Sequence, residues 1–305
     1  MQLKEYKVYD LNHRCEELDG QNSIVIAVSN DKEITIIDLQ NSFRNTLKFD
    51  ARVYGVSCLE SKEIISLIDS KTGNLVIADF QGQVLFSEYS PKSETQSQNS
   101  FITTYFDEKY LWSIAALSYS KVEIQLRQTD NFSIINKYEL EDPFGDSNFD
   151  FFPTNNSNQV ALLLGAGQDG TEILWLENKN EKILCRESLL PEISLPPPSF
   201  SPKGDEFLVL DDYENILYRY LYPQIEEAGS CQWETDEDTY WFDLYYSHLN
   251  EDYAVTMLNE KRVFLLEIKE MKIVDEIIIE NHEPMPVPHY YPTLMQENHL
   301  CTDLS

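Results

Sequence analysis

The chain has 305 residues, enough for one large domain with a substantial core. Lys and Arg number 23 against 53 Asp and Glu, a formal net charge of −30. That balance excludes a free-standing nucleic-acid binder and a docker on anionic lipid, since both rely on clustered Lys and Arg. With 42% hydrophobic residues the chain can bury enough apolar surface to fold despite its charge. No apolar run approaches the ~20 residues of a membrane helix. The opening stretch, MQLKEYKVYDLNHRCEEL, has acids where a signal peptide carries its apolar segment. A soluble, cytoplasmic chain is expected.

Taken in order, one kind of segment returns six times: a strand-like apolar run, a short polar turn and a second such run. The copies are SIVIAVS-NDKE-ITIIDLQ from Ser23, EIISLID-SKTGN-LVIADFQ from Glu63 and YLWSIAALS-YSK-VEIQLRQ from Tyr110. Then come QVALLLGAG-QDGT-EILWLEN from Gln159, EFLVLD-DYEN-ILYRYLY from Glu206 and YAVTML-NEKR-VFLLEIK from Tyr253. The second runs begin 41, 47, 51, 43 and 47 residues apart. An alternating run follows most pairs: NTLKF (45–49), QVLFSEY (83–89), IINKYEL (134–140), KILCRESLL (182–190) and KIVDEIIIE (272–280). An aromatic-rich run precedes most pairs: VYGVSCL (53–59), FITTYF (101–106), FDFFPT (149–154), PSFSP (198–202) and WFDLYY (241–246). β-Branched and aromatic residues between polar turns predict strands, and no stretch over ten residues carries a helical stripe.

Four short antiparallel strands repeated every 40–50 residues predict an all-β chain, a single β-propeller spanning 1–305. One such sheet cannot hide both its apolar faces, whereas a closed ring of them can. The six pairs and their following strands leave 22 residues at each end, together about one repeat. Seven blades are therefore expected, the last assembled from VPHYYPTLMQENHLCTDLS and the N-terminal LKEYKVYDL. Six blades with a C-terminal tail is the alternative. PKSETQSQNS (91–100) reads as a polar insertion, and LPEISLPPPS (190–199) as a stiff extended connector.

Residues 198–222, PSFSPKGDEFLVLDDYENILYRYLY, resemble a WD40 blade, with its FSPxG turn and the two strands that follow. The chain contains no Gly-His and no Trp-Asp pair, so it lacks the hydrogen-bonded tetrad of typical WD40 blades. The resemblance implies a divergent member of that family or another propeller type.

Propeller geometry assigns the loops to two faces. One face receives the turns between second and third strands and the links between blades. There fall Glu139, Glu141, Asp142, Asp146, Asp169, Asp211, Asp212, Glu214 and the run Glu234, Asp236, Glu237, Asp238. Lys32, Lys71, Lys121, Lys261 and Arg262 share it. The other face takes Lys62, Lys109, Lys179, Lys182, Lys203, Lys269 and Lys272. The acids of the first face predict a docking surface for a protein partner with a basic surface. Tyr240 and Trp241 beside the acids of ETDEDTYWFDLYY add the residue types that dominate binding hot spots, though a strand packing its rings between blades would read the same.

The five cysteines and five histidines are scattered, without CxxC, so no metal and no cofactor is predicted. His248 reads as a turn residue, and GQDG (167–170) and DDYEN (211–215) as turns, not calcium loops. No nucleophile-elbow, dinucleotide or P-loop motif occurs, and no catalytic residue is assigned. The expected role is a non-catalytic interaction platform, an adaptor or subunit of a larger assembly. Two alternatives stand beside it. One is an immunity-type or nucleic-acid-mimicking binder that neutralises a basic toxin or nuclease. The other is a propeller enzyme of hydrolase or lactonase type with an acid or metal site in the central channel.

Overall fold

A computed structural model describes residues 15–21, 23–29, 32–41, 43–89, 100–143, 145, 147–156, 158–165, 171–187, 198–211, 216–232, 244–258, 262–278, 294–296 and 299–301. Blade 1 comprises β1 (Cys15–Gln21), β2 (Ile24–Ser29), β3 (Glu33–Asp38) and β4 (Arg44–Lys48). Blade 2 comprises β5 (Val53–Leu59), β6 (Ile64–Asp69), β7 (Asn74–Asp79) and β8 (Val84–Glu88), with a single 3-10 turn, η1 (Glu60–Lys62), after β5. Blade 3 is built from β9 (Phe101–Phe106), β10 (Tyr110–Ser118), β11 (Lys121–Gln128) and β12 (Ile134–Glu141). β13 (Asn148–Pro153), β14 (Gln159–Gly165), β15 (Thr171–Lys179) and β16 (Lys182–Glu187) form blade 4. β17 (Ser199–Phe200), β18 (Glu206–Asp211), β19 (Ile216–Leu221) and β20 (Glu226–Gln232) form blade 5. Blade 6 consists of β21 (Leu244–His248), β22 (Tyr253–Leu258), β23 (Arg262–Glu267) and β24 (Lys272–Ile278).

Each blade is a four-stranded sheet paired in chain order, and every pairing within it is antiparallel. The first strands touch in sequence: β1 against β5, β5 against β9, and so on to β17 against β21. They are the inner strands of a ring.

Among the described residues there are six blades, not the expected seven. There the C-terminal stretch contributes β25 (Leu294–Gln296) and β26 (His299–Cys301), a two-stranded sheet. Strands of three residues offer too few ladder bonds and too little side-chain surface to make a blade. The N-terminal LKEYKVYDL lies outside the described residues. β25 contacts both β21 and β1, so this pair bridges the first and last blades.

Strand periodicity explains why the ring holds. Along β6, Ile65 and Leu67 point to one neighbour and Ile64 and Ile68 to the other, because successive side chains alternate across a sheet. The first pair joins Ile24, Ile26, Ile34 and Ile36 of blade 1, and the second joins Phe101, Phe106 and Leu111 of blade 3. The same arrangement recurs round the ring. Trp112, Ile114 and Ile124 meet Val160, Leu162 and Leu174 between blades 3 and 4. Between blades 4 and 5, Trp175 packs against Phe200, Phe207 and Tyr222, with ring centroids 5.3–5.5 Å apart. Full burial of one such side chain contributes roughly 1.5–3 kcal/mol. The fourth strands alternate half-buried and exposed, as in β24, where one face meets solvent.

The FSPKG turn seen in the sequence is a joint between blades 4 and 5. Ser201 Oγ donates to Asp205 Oδ1 at 2.9 Å, and Gly204 N donates to Ser201 O at 2.9 Å. Gly204 has φ +69°, and a Cβ there would lie 2.4 Å from Thr154 O of blade 4. Asn155 Nδ2 in turn donates to Ser201 O at 2.7 Å. Gly204→Ala is expected to destabilise the fold by about 1–3 kcal/mol through backbone strain and this clash. Leu85→Ser, on the exposed fourth strand of blade 2, is expected to stay within about 0.5 kcal/mol. Urea unfolding of the two variants checks the contrast.

Candidate functional site

Strand order fixes the two faces. Face I carries the turns between second and third strands and the links between blades, and face II the remaining turns. Of the acids assigned to face I, Glu234, Asp236, Glu237 and Asp238, with Tyr240 and Trp241, lie in 233–243 between β20 and β21, outside the described residues. Asp212 and Glu214 lie in 212–215 between β18 and β19, also outside them. Asp146 and Asp169 fall outside as well.

Glu141 and Asp142, at the end of β12, have separate roles. Asp142 is buried and ties the link between blades 3 and 4, accepting hydrogen bonds from Ser147 N at 2.8 Å and Ser147 Oγ at 2.6 Å. Its main-chain N–H donates to Ser120 O at 2.9 Å. Asp211 ends β18 opposite Ile216 and is buried too, so neither Asp142 nor Asp211 presents a carboxylate to a partner. Glu141 is exposed and stands opposite Lys121 in the ladder, while Lys121 Nζ reaches Glu139 Oε2 at 2.5 Å.

Beside them stands Tyr119, in the two-residue turn between β10 and β11 and 68% exposed. Its ring packs on Gly145, where a Cβ would sit 3.2 Å from Cε1; Gly145 has φ +66° and supplies the space. This exposed aromatic, with Glu139 and Glu141 on the neighbouring β12, is one part of face I among the described residues. Its sequence signal was a tyrosine in a tight turn, where small polar residues are the rule.

Face II is not simply basic. Lys62 pairs with Asp130 at 2.5 Å and Lys203 with Glu251 at 3.0 Å. Among the described residues, its turns also carry Glu108, Glu181 and Glu270.

Polar links tie the inner strands to one another. Asp19 on β1 accepts a hydrogen bond from Cys58 N on β5 at 2.9 Å, and Ser57 Oγ accepts one from Phe106 N on β9 at 3.0 Å. Burial pushes the Asp19 carboxyl up to about 6, opposed by hydrogen bonds from Gly20, Cys58 and Ser57. Asp150 on β13 reaches solvent, yet the protein around it likewise raises its carboxyl to about 6.

His248 was read as a turn residue; it is instead the buried last residue of β21. Ser199 Oγ accepts its main-chain N–H at 2.9 Å and lies 3.2 Å from its Nδ1, joining blades 5 and 6. Burial lowers His248 to about 4, so it is neutral at pH 7. This serine is a joint between strands, with its oxygen already occupied by a main-chain donor. Among the described residues no three His, Cys, Asp or Glu side chains converge as metal ligands.

A second polar joint was hidden in VEIQLRQ. Glu123, Gln125 and Arg127 share one side of β11, and all three are buried. Arg127 holds Glu88 of blade 2 through Nη1–Oε2 at 2.9 Å and Nη2–Oε1 at 2.7 Å. It also donates to Phe132 O at 3.0 Å and to Gln125 Oε1. The guanidinium lies 5.8 Å from the Phe86 ring centroid and 6.0 Å from that of Phe101.

The arrangement defines a β-propeller, with six four-stranded blades among the described residues. No family model matches the sequence, and no curated protein matches it. Among solved structures, the β-propeller domain of Cps50 (Swd1) from Myceliophteria thermophila is similar, with TM-score 0.63 and 9% identity over 95% of this chain and 93% of that one. BamB from Moraxella catarrhalis is similar with TM-score 0.53 and 10% identity, over 86% and 75%. At such identities the likeness is one of fold.

Two outcomes test the joints. A carboxyl with a raised folded-state pKa stabilises the fold while protonated; that contribution is complete below about pH 4 and is lost as the pH climbs through about 6. Asp19→Asn, which keeps an acceptor for Cys58 N, is therefore expected to raise the thermal midpoint at pH 7 and leave it unchanged near pH 3.5. Glu88→Ala strands a buried guanidinium and is expected to cost about 3–5 kcal/mol, read by urea unfolding.

Proposed function

We propose that this propeller is a non-catalytic protein-interaction platform, a cytoplasmic adaptor or subunit of a larger assembly, that docks a basic protein partner on face I. The observation that carries the reading is Tyr119, two-thirds exposed yet braced on Gly145, with Glu139 and Glu141 alongside. A fixed aromatic loses little side-chain entropy on binding and offers its face to a guanidinium or ammonium. The acids around it complement such a partner and speed encounter through long-range attraction. Glu234, Asp236, Glu237, Asp238, Tyr240 and Trp241, in the link entering blade 6, and Asp212 and Glu214, after β18, would extend the same surface. The net charge of −30 favours a protein partner over nucleic acid or anionic lipid.

Affinity capture from the native cell with the tagged full chain, followed by binding measurements on the purified partner, tests this. Tyr119→Ala combined with Glu141→Lys is expected to weaken binding about tenfold or more while unfolding with the wild-type midpoint. Reversal of Glu234, Asp236, Glu237 and Asp238 to Lys is expected to abolish capture. Binding should also weaken between ~50 and ~200 mM salt. Recovery of the chain alone, or a partner indifferent to both variants, overturns the reading.

A further inference from the structure

The outer strand of blade 2, β8, is an open sheet edge. Among the described strands it pairs only with β7, so the main-chain N–H and C=O groups on its far side meet no strand. The outer strands of the other blades each carry a charge into solvent: Lys48 on β4, Glu139 on β12, Lys182 on β16, Glu226 on β20 and Glu276 on β24. Such charges oppose strand-on-strand association. The exposed residues of β8 are Val84, Leu85 and Ser87, and exposed Tyr89 follows directly. Its one charged residue, Glu88, is turned inward and held by Arg127. We infer that β8 is a self-association edge, at which a second copy of this chain pairs antiparallel about a twofold axis at Ser87. The inference is independent of the reading of face I, because β8 lies on the rim of the ring.

Local structure favours that register. A bulge at Leu85 breaks the alternation and turns Val84 and Leu85 outward together. From Phe86 to Glu88 the strand pairs regularly with β7, opposite Ile77, Val76 and Leu75. The Phe86 ring, 5.4 Å from that of Phe132, and the Glu88 carboxylate both anchor it on the blade 3 side. Pairing centred on Ser87 sets Leu85 across from the second copy's Tyr89, and Phe86 across from its Glu88. The twofold repeats both contacts, and no carboxylate stands opposite another. Leu85, 48% exposed, and Tyr89, 81% exposed, would thus be covered in both copies.

Charge selects a second copy over a basic partner here. A basic strand finds no exposed acid on β8 to complement, whereas an edge without exposed charge is complementary to itself. Each copy carries −30, so the two repel overall. At physiological ionic strength that repulsion is screened beyond about 8 Å, and the contact falls where local charge is lowest. A five-residue strand makes a small interface, so the dimer is weak and forms at micromolar concentration.

Sedimentation velocity of the full chain tests this. Monomer is expected to give way to dimer as the concentration rises from about 1 to about 200 µM. Added salt, from ~50 to ~300 mM, is expected to strengthen the dimer severalfold by screening the net charge, the opposite of its effect at face I. Ser87→Lys and Ser87→Glu, at an exposed position, each place like charges across the twofold. Each alone is expected to weaken the dimer at least tenfold with an unchanged urea midpoint, and mixing the two variants is expected to restore it. A chain that stays monomeric throughout, a dimer indifferent to both variants, or a mixture that does not recover overturns the inference.

Discussion

A sheet that is apolar on both faces must be covered on both sides, and every other feature of this molecule follows from that demand. Period-two alternation in β6 sends Ile65 and Leu67 toward blade 1, and Ile64 and Ile68 toward blade 3. Neither half can be satisfied by a single neighbour, so the sheets must succeed one another around an axis. The hydrophobic term is non-directional. Direction comes from the polar joints set into the inter-blade layers: Asp19 to Cys58, Ser57 to Phe106, Ser199 to His248 and Arg127 to Glu88. The apolar contacts favour any stacking of blades, while these bonds select one alignment.

Much of this was legible in the sequence, for physical reasons. The paired second and third strands of each blade are buried on both faces, so they read as continuous apolar runs. β5 and β9 were read to the residue, since aromatic and β-branched side chains dominate them. β1 and β20 escaped. CEELDGQ and EEAGSCQ have almost no apolar side chains, and their strand state rests on main-chain pairing with β2 and β19. The seventh blade was inferred from leftover length and a loose echo of PSFSPKGDEFLVLDD in VPHYYPTLMQENHLCTDLS, and neither distinguishes a blade from a three-residue strand pair with flanking chain.

Charge was harder to interpret than hydrophobicity. Acids adjacent in the chain separate in space: Glu141 faces solvent while Asp142 folds inward to fix its own loop. VEIQLRQ was read as the second strand of its pair, but its alternating polar side gave no sign that it is buried against blade 2. Tyr119 and Gly145 illustrate the reverse case, since a docking feature made of one turn tyrosine and one glycine 26 positions on (145 − 119) leaves no motif.

The placement of β25 between β21 and β1 has a consequence for how the molecule assembles. Each blade is a meander whose strands are close in sequence, so it can form as soon as its own segment is available. The seam joins stretches separated by almost the whole polypeptide, and closing so long a loop carries the largest entropic cost of any contact in the fold. Neighbouring sheets should therefore form and stack early, with circular closure as the final, slowest and most easily reversed event. A mechanical pull on the two ends would be expected to unzip this seam before it disturbs any blade.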